Sequence, residues 1–146
     1  MLDPHIIAQS MYAKDRYSQW LGINILETRS GYCRAKMTVR HEMTNGFKIA
    51  HGGITYGLAD SAFAFASNSE GQLAVSIETS ISHTKAVHPH DIITAEAIVM
   101  SSSHKLAIYE VKVTNQKDEI VALFKGTVYK KSKSWDTIIK NEDNPT

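Results

Sequence analysis

The sequence predicts an α+β domain in which one antiparallel sheet curves around a single long helix. Three observations carry this. Residues 54–66 read ITYGLADSAFAFA, apolar around nearly the whole circumference of a helix, and a helix apolar on all sides is a buried one. Elsewhere the period is two: in YCRAKMTV, Cys33, Ala35, Met37 and Val39 alternate with Arg34, Lys36 and Thr38, the pattern of a strand buried on one face. Further strand candidates follow at short spacing with polar turns between them, which argues for antiparallel pairing in meander-like order rather than alternating β and α units.

The elements can be taken in order. Residues 3–21 predict a short peripheral helix, with Asp3 as N-cap, Pro4 at the first helical position and Gly22 as the stop. The strand at 32–39 and the central helix follow, then strand candidates starting at 74, 91, 105 and 119. NQKDE, residues 115–119, reads as the hairpin turn between the last two. The tail from 132 to 146 is polar, lacks a sustained period and reads as mobile, with Trp135, Ile138 and Ile139 able to dock. Residues 1–131 are thus expected to form one domain, with no repeat or linker.

A chain of 146 residues is long enough for one real core, burying about two thirds of the surface its unfolded form exposes. Sixteen basic residues stand against fifteen acidic ones, for a net charge of +1, and the bases are dispersed apart from KKSK at 130–133, so nucleic acid is not an expected partner. The single cysteine, Cys33, falls in strand register and reads as a buried, inert thiol. It agrees with a reducing compartment. No segment approaches the apolar length of a membrane span or signal peptide, so a cytoplasmic protein without membrane association is expected.

The chemistry gathers on the central helix. HGG at 51–53 sits where that helix begins, and a helix start leaves backbone N–H groups unpaired at the positive end of the macrodipole. Such donors suit an oxyanion developing from a carbonyl under attack, although a Gly-Gly turn needed only for backbone geometry reads the same way. Asp60 is the one acid in the apolar run. An acid there is paired, hydrated or functional. It lies eight residues after Gly52, about 12 Å along a helix, too far for both groups to act on one reacting centre within a single protomer. If both act on one substrate, the glycine end comes from one subunit and the acid from another, across a two-fold axis with antiparallel helices. The mostly small residues at 53, 57, 60, 64 and 67 mark the side of the helix where something approaches closely.

Asn45, HGG at 51–53, LADSAFAFASN at 58–68 and NQKDEIVALFKGTVYK at 115–130 together resemble the hotdog-fold acyl-CoA thioesterases of the PaaI branch, which act in phenylacetate degradation. The resemblance covers roughly residues 3–131. It implies the hotdog fold, a homodimer with shared active sites paired into a dimer of dimers, and hydrolysis of acyl-CoA thioesters carrying aromatic groups such as hydroxyphenylacetyl or phenylacetyl, or medium-chain groups. No cofactor or metal is implied. Asp60 matches the acidic catalytic residue, Gly52 the oxyanion-hole glycine, Asn45 the polar residue near thioester and water, and His51 the histidine beside the helix start. Gly53, Ser76, Lys85, Tyr56 and Phe63 are the expected substrate and CoA contacts, with His104, Lys105 and Lys131 further candidates for the CoA phosphates. Two departures stand out: Lys85 and Ala86 replace an Arg-Pro pair, losing the bidentate fork of arginine, and Phe47 stands where some relatives carry histidine.

Asp60 is then expected to act on water as general base or to attack the thioester carbon itself, and both routes stay open. Two other classes compete. A hotdog dehydratase or hydratase would need an Asp-and-His motif that is not visible, and a non-catalytic acyl-CoA-binding module would keep the pocket without the chemistry. HPHD at 88–91, with His83 and His104, lacks the spacing of a metal site, and no G-x-S-x-G occurs.

Overall fold

The N-terminal segment forms two helices where the sequence predicts one. In the computed structural model, which describes residues 2–144, α1 spans Pro4–Lys14 and α2 spans Arg16–Leu21. Asp3 accepts a hydrogen bond from His5 N–H ahead of Pro4, as expected of the cap. The break falls at Asp15, whose backbone (φ −91°, ψ 89°) leaves helical space while its side chain accepts from Ser18 N–H and so caps α2. Gly22, at φ 74°, closes α2 in the left-handed conformation that glycine adopts without strain.

Six strands follow: β1 (Asn24–Arg29), β2 (Tyr32–Thr38), β3 (Gln72–His83), β4 (Ile92–Ser102), β5 (Leu106–Thr114) and β6 (Ile120–Ser134), with α3 (Gly52–Asn68) between β2 and β3 and α4 (Trp135–Asp143) at the end. All neighbouring pairs are antiparallel, in the order β1-β2-β4-β5-β6-β3. Meander order therefore holds for β4 to β6 alone. Because α3 carries the chain across the face of the sheet, β3 lands on the far edge beside β6. β1 escapes the sequence reading because most of its residues are exposed and a bulge between Ile25 and Glu27 interrupts its register.

The sheet curves around α3 as expected, and the core lies between them. Phe63 packs its ring against Phe124 and Tyr109, with centroids 5.6 and 5.8 Å away. Gly126 on β6 makes room for it: a Cβ there would lie 2.5 Å from Phe63 Cζ. Gly126→Ala is accordingly expected to lower stability by about 1–3 kcal/mol through overpacking, read as a lower midpoint in urea unfolding.

The tail is ordered where the sequence reading has it mobile. Residues 131–134 extend β6 and α4 follows. Trp135 anchors it: the backbone N–H donates to the Gly71 carbonyl and the indole N–H to Asn68 Oδ1, both at 2.9 Å. A single buried indole with its N–H satisfied outweighs the polar composition around it. Positions 145 and 146 of that tail lie outside the described residues.

Beyond the C-terminal end of α3, a buried ion pair ties three elements together. Lys130 Nζ donates to Glu70 Oε2 at 2.8 Å, to the Ser103 carbonyl at 2.9 Å and to the Ser102 hydroxyl, while Tyr109 O–H donates to Glu70. Burial alone would raise the Glu70 carboxyl, but hydrogen bonds from Lys130, Tyr109 and Ser102 outweigh it and hold the group below its ordinary 4.5. The stability this adds is present above pH 4.5 and is lost as pH falls through the lowered folded value. Lys130→Met should therefore destabilise the fold by about 3 kcal/mol at neutral pH. Thermal melts should show the gap to wild type narrowing in acid.

Cys33 is fully buried, and burial pushes its thiol up to about 12, which leaves it inert as expected. Among the described residues no helix is long and apolar enough to cross a membrane.

Candidate active site

The approach to α3 is pinned by backbone bonds. Asn45 N–H donates to the Ile49 carbonyl at 2.8 Å, and Asn45 Oδ1 accepts from Phe47 N–H at 2.9 Å in an Asx turn. Its side-chain amide hydrogens remain for another acceptor. Ala50 N–H donates to Val87 and His51 N–H to Met43, at 2.7 and 2.9 Å. His51 then caps the helix. Its Nδ1 accepts from Gly53 N–H at 2.9 Å and its carbonyl from Ile54 N–H at 2.9 Å. With Nδ1 used as acceptor, the neutral ring carries its proton on Nε2.

That accounting leaves Gly52. Its N–H has no acceptor among the described residues, and it opens onto a cleft of about 390 Å³ lined by residues that include Asn45, Thr55, His83 and Lys85. An unpaired donor at the start of a 17-residue helix favours an anionic oxygen in the cleft. His83, at the end of β3, stands over it: a Cβ on Gly52 would lie 3.2 Å from His83 Nε2. Lys85 lines the same cleft, but its ammonium is ion-paired with Glu119. His88 and His90 belong to a separate turn, capped by Asp91 Oδ2 accepting from His88 N–H at 2.8 Å.

Asp60 lies about 12 Å further along α3, so one protomer does not bring it to Gly52. Burial first, and then the negative charge of Asp15, raise its carboxyl above the ordinary 3.8. No hydrogen bond within the described residues opposes that shift. Part of the small-residue stripe is already occupied: a Cβ on Gly57 would lie 2.5 Å from the Tyr17 hydroxyl, so α2 closes over that side of α3. Tyr56 turns toward the sheet, its hydroxyl 2.6 Å from Thr79 Oγ1 and its ring edge-on to Phe124. Phe63 is placed in the core, not in a cleft. Ser76 is exposed on the edge strand β3, two residues from the inward-facing Ala74 and so on the same side by alternation.

The sequence profile of the thioesterase superfamily matches residues 47–122, from the turn before α3 into β6. The chain belongs to the thioesterase superfamily. It is 37% identical over 119 residues to the acyl-coenzyme A thioesterase PaaI of Escherichia coli, covering 82% of this chain and 85% of that protein. A putative esterase of Archaeoglobus fulgidus is 42% identical over 120 residues, 82% of this chain and 78% of that one. The solved structure of E. coli PaaI superposes with a TM-score of 0.89 at 33% identity, covering 90% of this chain and 96% of that one. The fold is therefore the hotdog fold, the branch is that of PaaI, and the chain is a thioester hydrolase.

Within this thioesterase the fold brings Asn45, His51, Gly52 and Gly53 together at the helix start, with Lys85 at the cleft's edge, and leaves Asp60, Tyr56, Phe63 and Ser76 apart from them. It also gathers residues to which sequence reasoning assigns no part in this site. His83 comes from 31 positions away to cover Gly52, and Asp15 and Tyr17 reach α3 from the N-terminal helices. No one-dimensional signal points to Asp15 or Tyr17, and His83 stands out in sequence only beside the other histidines.

Proposed function

We propose that this chain is an acyl-CoA thioesterase in which the Gly52 N–H of one protomer and the partner's Asp60 act on the same thioester. The observation that carries the reading is that Gly52, whose N–H has no acceptor among the described residues, lines a cleft together with Asn45 and His83, on the same helix as a carboxyl whose proton affinity burial raises. Gly52 N–H and the Asn45 amide polarise the thioester carbonyl. Asp60 takes a proton from water as the oxygen adds to the carbonyl carbon, and the tetrahedral intermediate collapses with loss of CoA thiolate. A raised carboxyl is the better general base near neutral pH, which favours that route over direct attack.

PaaI of E. coli comes from the phenylacetic acid degradation operon, and the resemblance carries aromatic acyl groups of the phenylacetyl type to this chain, with medium-chain groups as alternative substrates. CoA is held along the Gly52 cleft with Lys85 at its edge, where its charge meets phosphate once Glu119 gives way. β3 offers an unpaired edge for a homodimer. The outer face of the sheet, with Ile98, Met100 and Leu123 exposed, offers an apolar patch for the dimer of dimers. A CoA-ester substrate and a free buried thiol suit the cytoplasm.

Thiol release from phenylacetyl-CoA, hydroxyphenylacetyl-CoA and octanoyl-CoA tests the reading. A kcat/KM for the aromatic esters at least tenfold above octanoyl-CoA is expected. Binding of these esters without hydrolysis would make the chain an acyl-CoA-binding module instead.

A further inference from the structure

Between α1 and α2 stands a second carboxylate, locked against the helix that carries Asp60. Asp15 Oδ1 accepts from Ser18 N–H at 2.9 Å and Oδ2 from Ser18 O–H at 2.5 Å. The Ser18 oxygen in turn lies 2.8 Å from Ser61 Oγ. Because the Ser18 proton goes to Asp15, Ser61 must donate to Ser18, and the chain of donors runs one way, from α3 to a carboxylate. Ser18 and Ser61 are both buried, so this connection is shielded from water, and Ser61 adjoins Asp60 in α3.

We infer that Asp15 is a positioning residue for catalysis: a fixed negative charge, held by Ser18 and Ser61, that strengthens Asp60 as a base. The inference rests on the reading of Asp60 given above. A like charge nearby disfavours ionisation of its neighbour. Asp15, at the break between α1 and α2, and Tyr17 of α2 are titratable groups set against Asp60. Tyr17 responds in the complementary way: burial first, and then Asp60, raise its phenol. On α3 itself the residues three and four positions from Asp60 are Tyr56, Gly57, Phe63 and Ala64, none of them a carboxylate or a cation.

The test is the pH dependence of kcat/KM, with phenylacetyl-CoA as substrate and loss of thioester absorbance as readout. Asp15→Asn and Asp15→Ser keep an N-cap acceptor and remove the charge. The acidic limb should move down by roughly half a unit to one unit in both, with a plateau a few-fold lower because the base is weaker. Asp15→Glu should restore the limb toward wild type. A limb unmoved in folded neutral variants would overturn the proposal. Should those variants not fold, Asp15→Gly removes the charge with a residue that an N-cap also accepts; the limb should move the same way, and no movement overturns the proposal. The reading of Asp60 fails separately, if Asp60→Asn keeps wild-type kcat.

Discussion

Asp60→Asn is expected to lower kcat for acyl-CoA hydrolysis by roughly 10²- to 10⁴-fold, the usual contribution of a positioned general base. KM should change little, because the amide keeps the shape of the carboxylate. The same substitution should leave stability unchanged or raise it at neutral pH. The folded carboxyl is raised above 3.8 by burial and by Asp15, so its ionised form costs stability once pH exceeds the unfolded value, and the amide removes that cost. Below pH 3.8 both proteins carry a neutral side chain and their melting temperatures should converge. Wild-type kcat/KM should show an acidic limb displaced upward from the ordinary 3.8 of an aspartate. A variant that loses activity while gaining stability is the signature of a strained functional carboxyl; a structural one would lose both.

Gly52→Pro should cost roughly 10²- to 10³-fold in kcat, as expected for one oxyanion donor. Gly52 is the first residue of α3, the position at which proline is best tolerated in a helix. His51, at φ −58° and ψ 139°, already has the extended conformation that a residue before proline requires. The substitution therefore deletes the N–H that lacks a partner while keeping the helix. Gly52→Ala is the control, since both variants place a Cβ 3.2 Å from His83 Nε2 but alanine keeps the N–H. If proline inactivates and alanine costs about tenfold or less, the donor is responsible; equal losses would assign the effect to displacement of His83.

The parts of the fold legible in the sequence are those governed by local pattern. The central helix announces itself by being apolar on all sides, and β2 and β4 to β6 by alternation, because both reflect burial of individual side chains. What depends on long-range pairing is hidden. Nothing local to QLAVSIETSISH sends it past β6 to the far edge, and nothing near Trp135 says that Asn68 and Gly71 will receive it. Asp15 is a helix-compatible residue by composition, and only the Ser18 backbone makes it a cap. The site divides along the same line. Asn45, His51, Gly52 and Asp60 stand out through sequence context, a turn, a helix start and an acid among apolar neighbours. Phe63 misleads, because an aromatic on a buried helix looks the same in sequence whether it lines a pocket or fills the core, and the matching signal lay in Gly126 on another strand. His83 was visible only among the histidines of a turn, and the fold separates it from them.

The central claim is that each active site is shared between two protomers, and subunit complementation tests it most directly. Asp60→Asn and Gly52→Pro protomers, each inactive alone, are unfolded together in equal amounts and refolded. If the sites are shared, half of the dimers are mixed and each mixed dimer carries one intact site, so activity should return to about a quarter of wild type. If each protomer holds its own complete site, every site in the mixture carries a lesion, and activity that stays at the level of the separate variants would contradict the account.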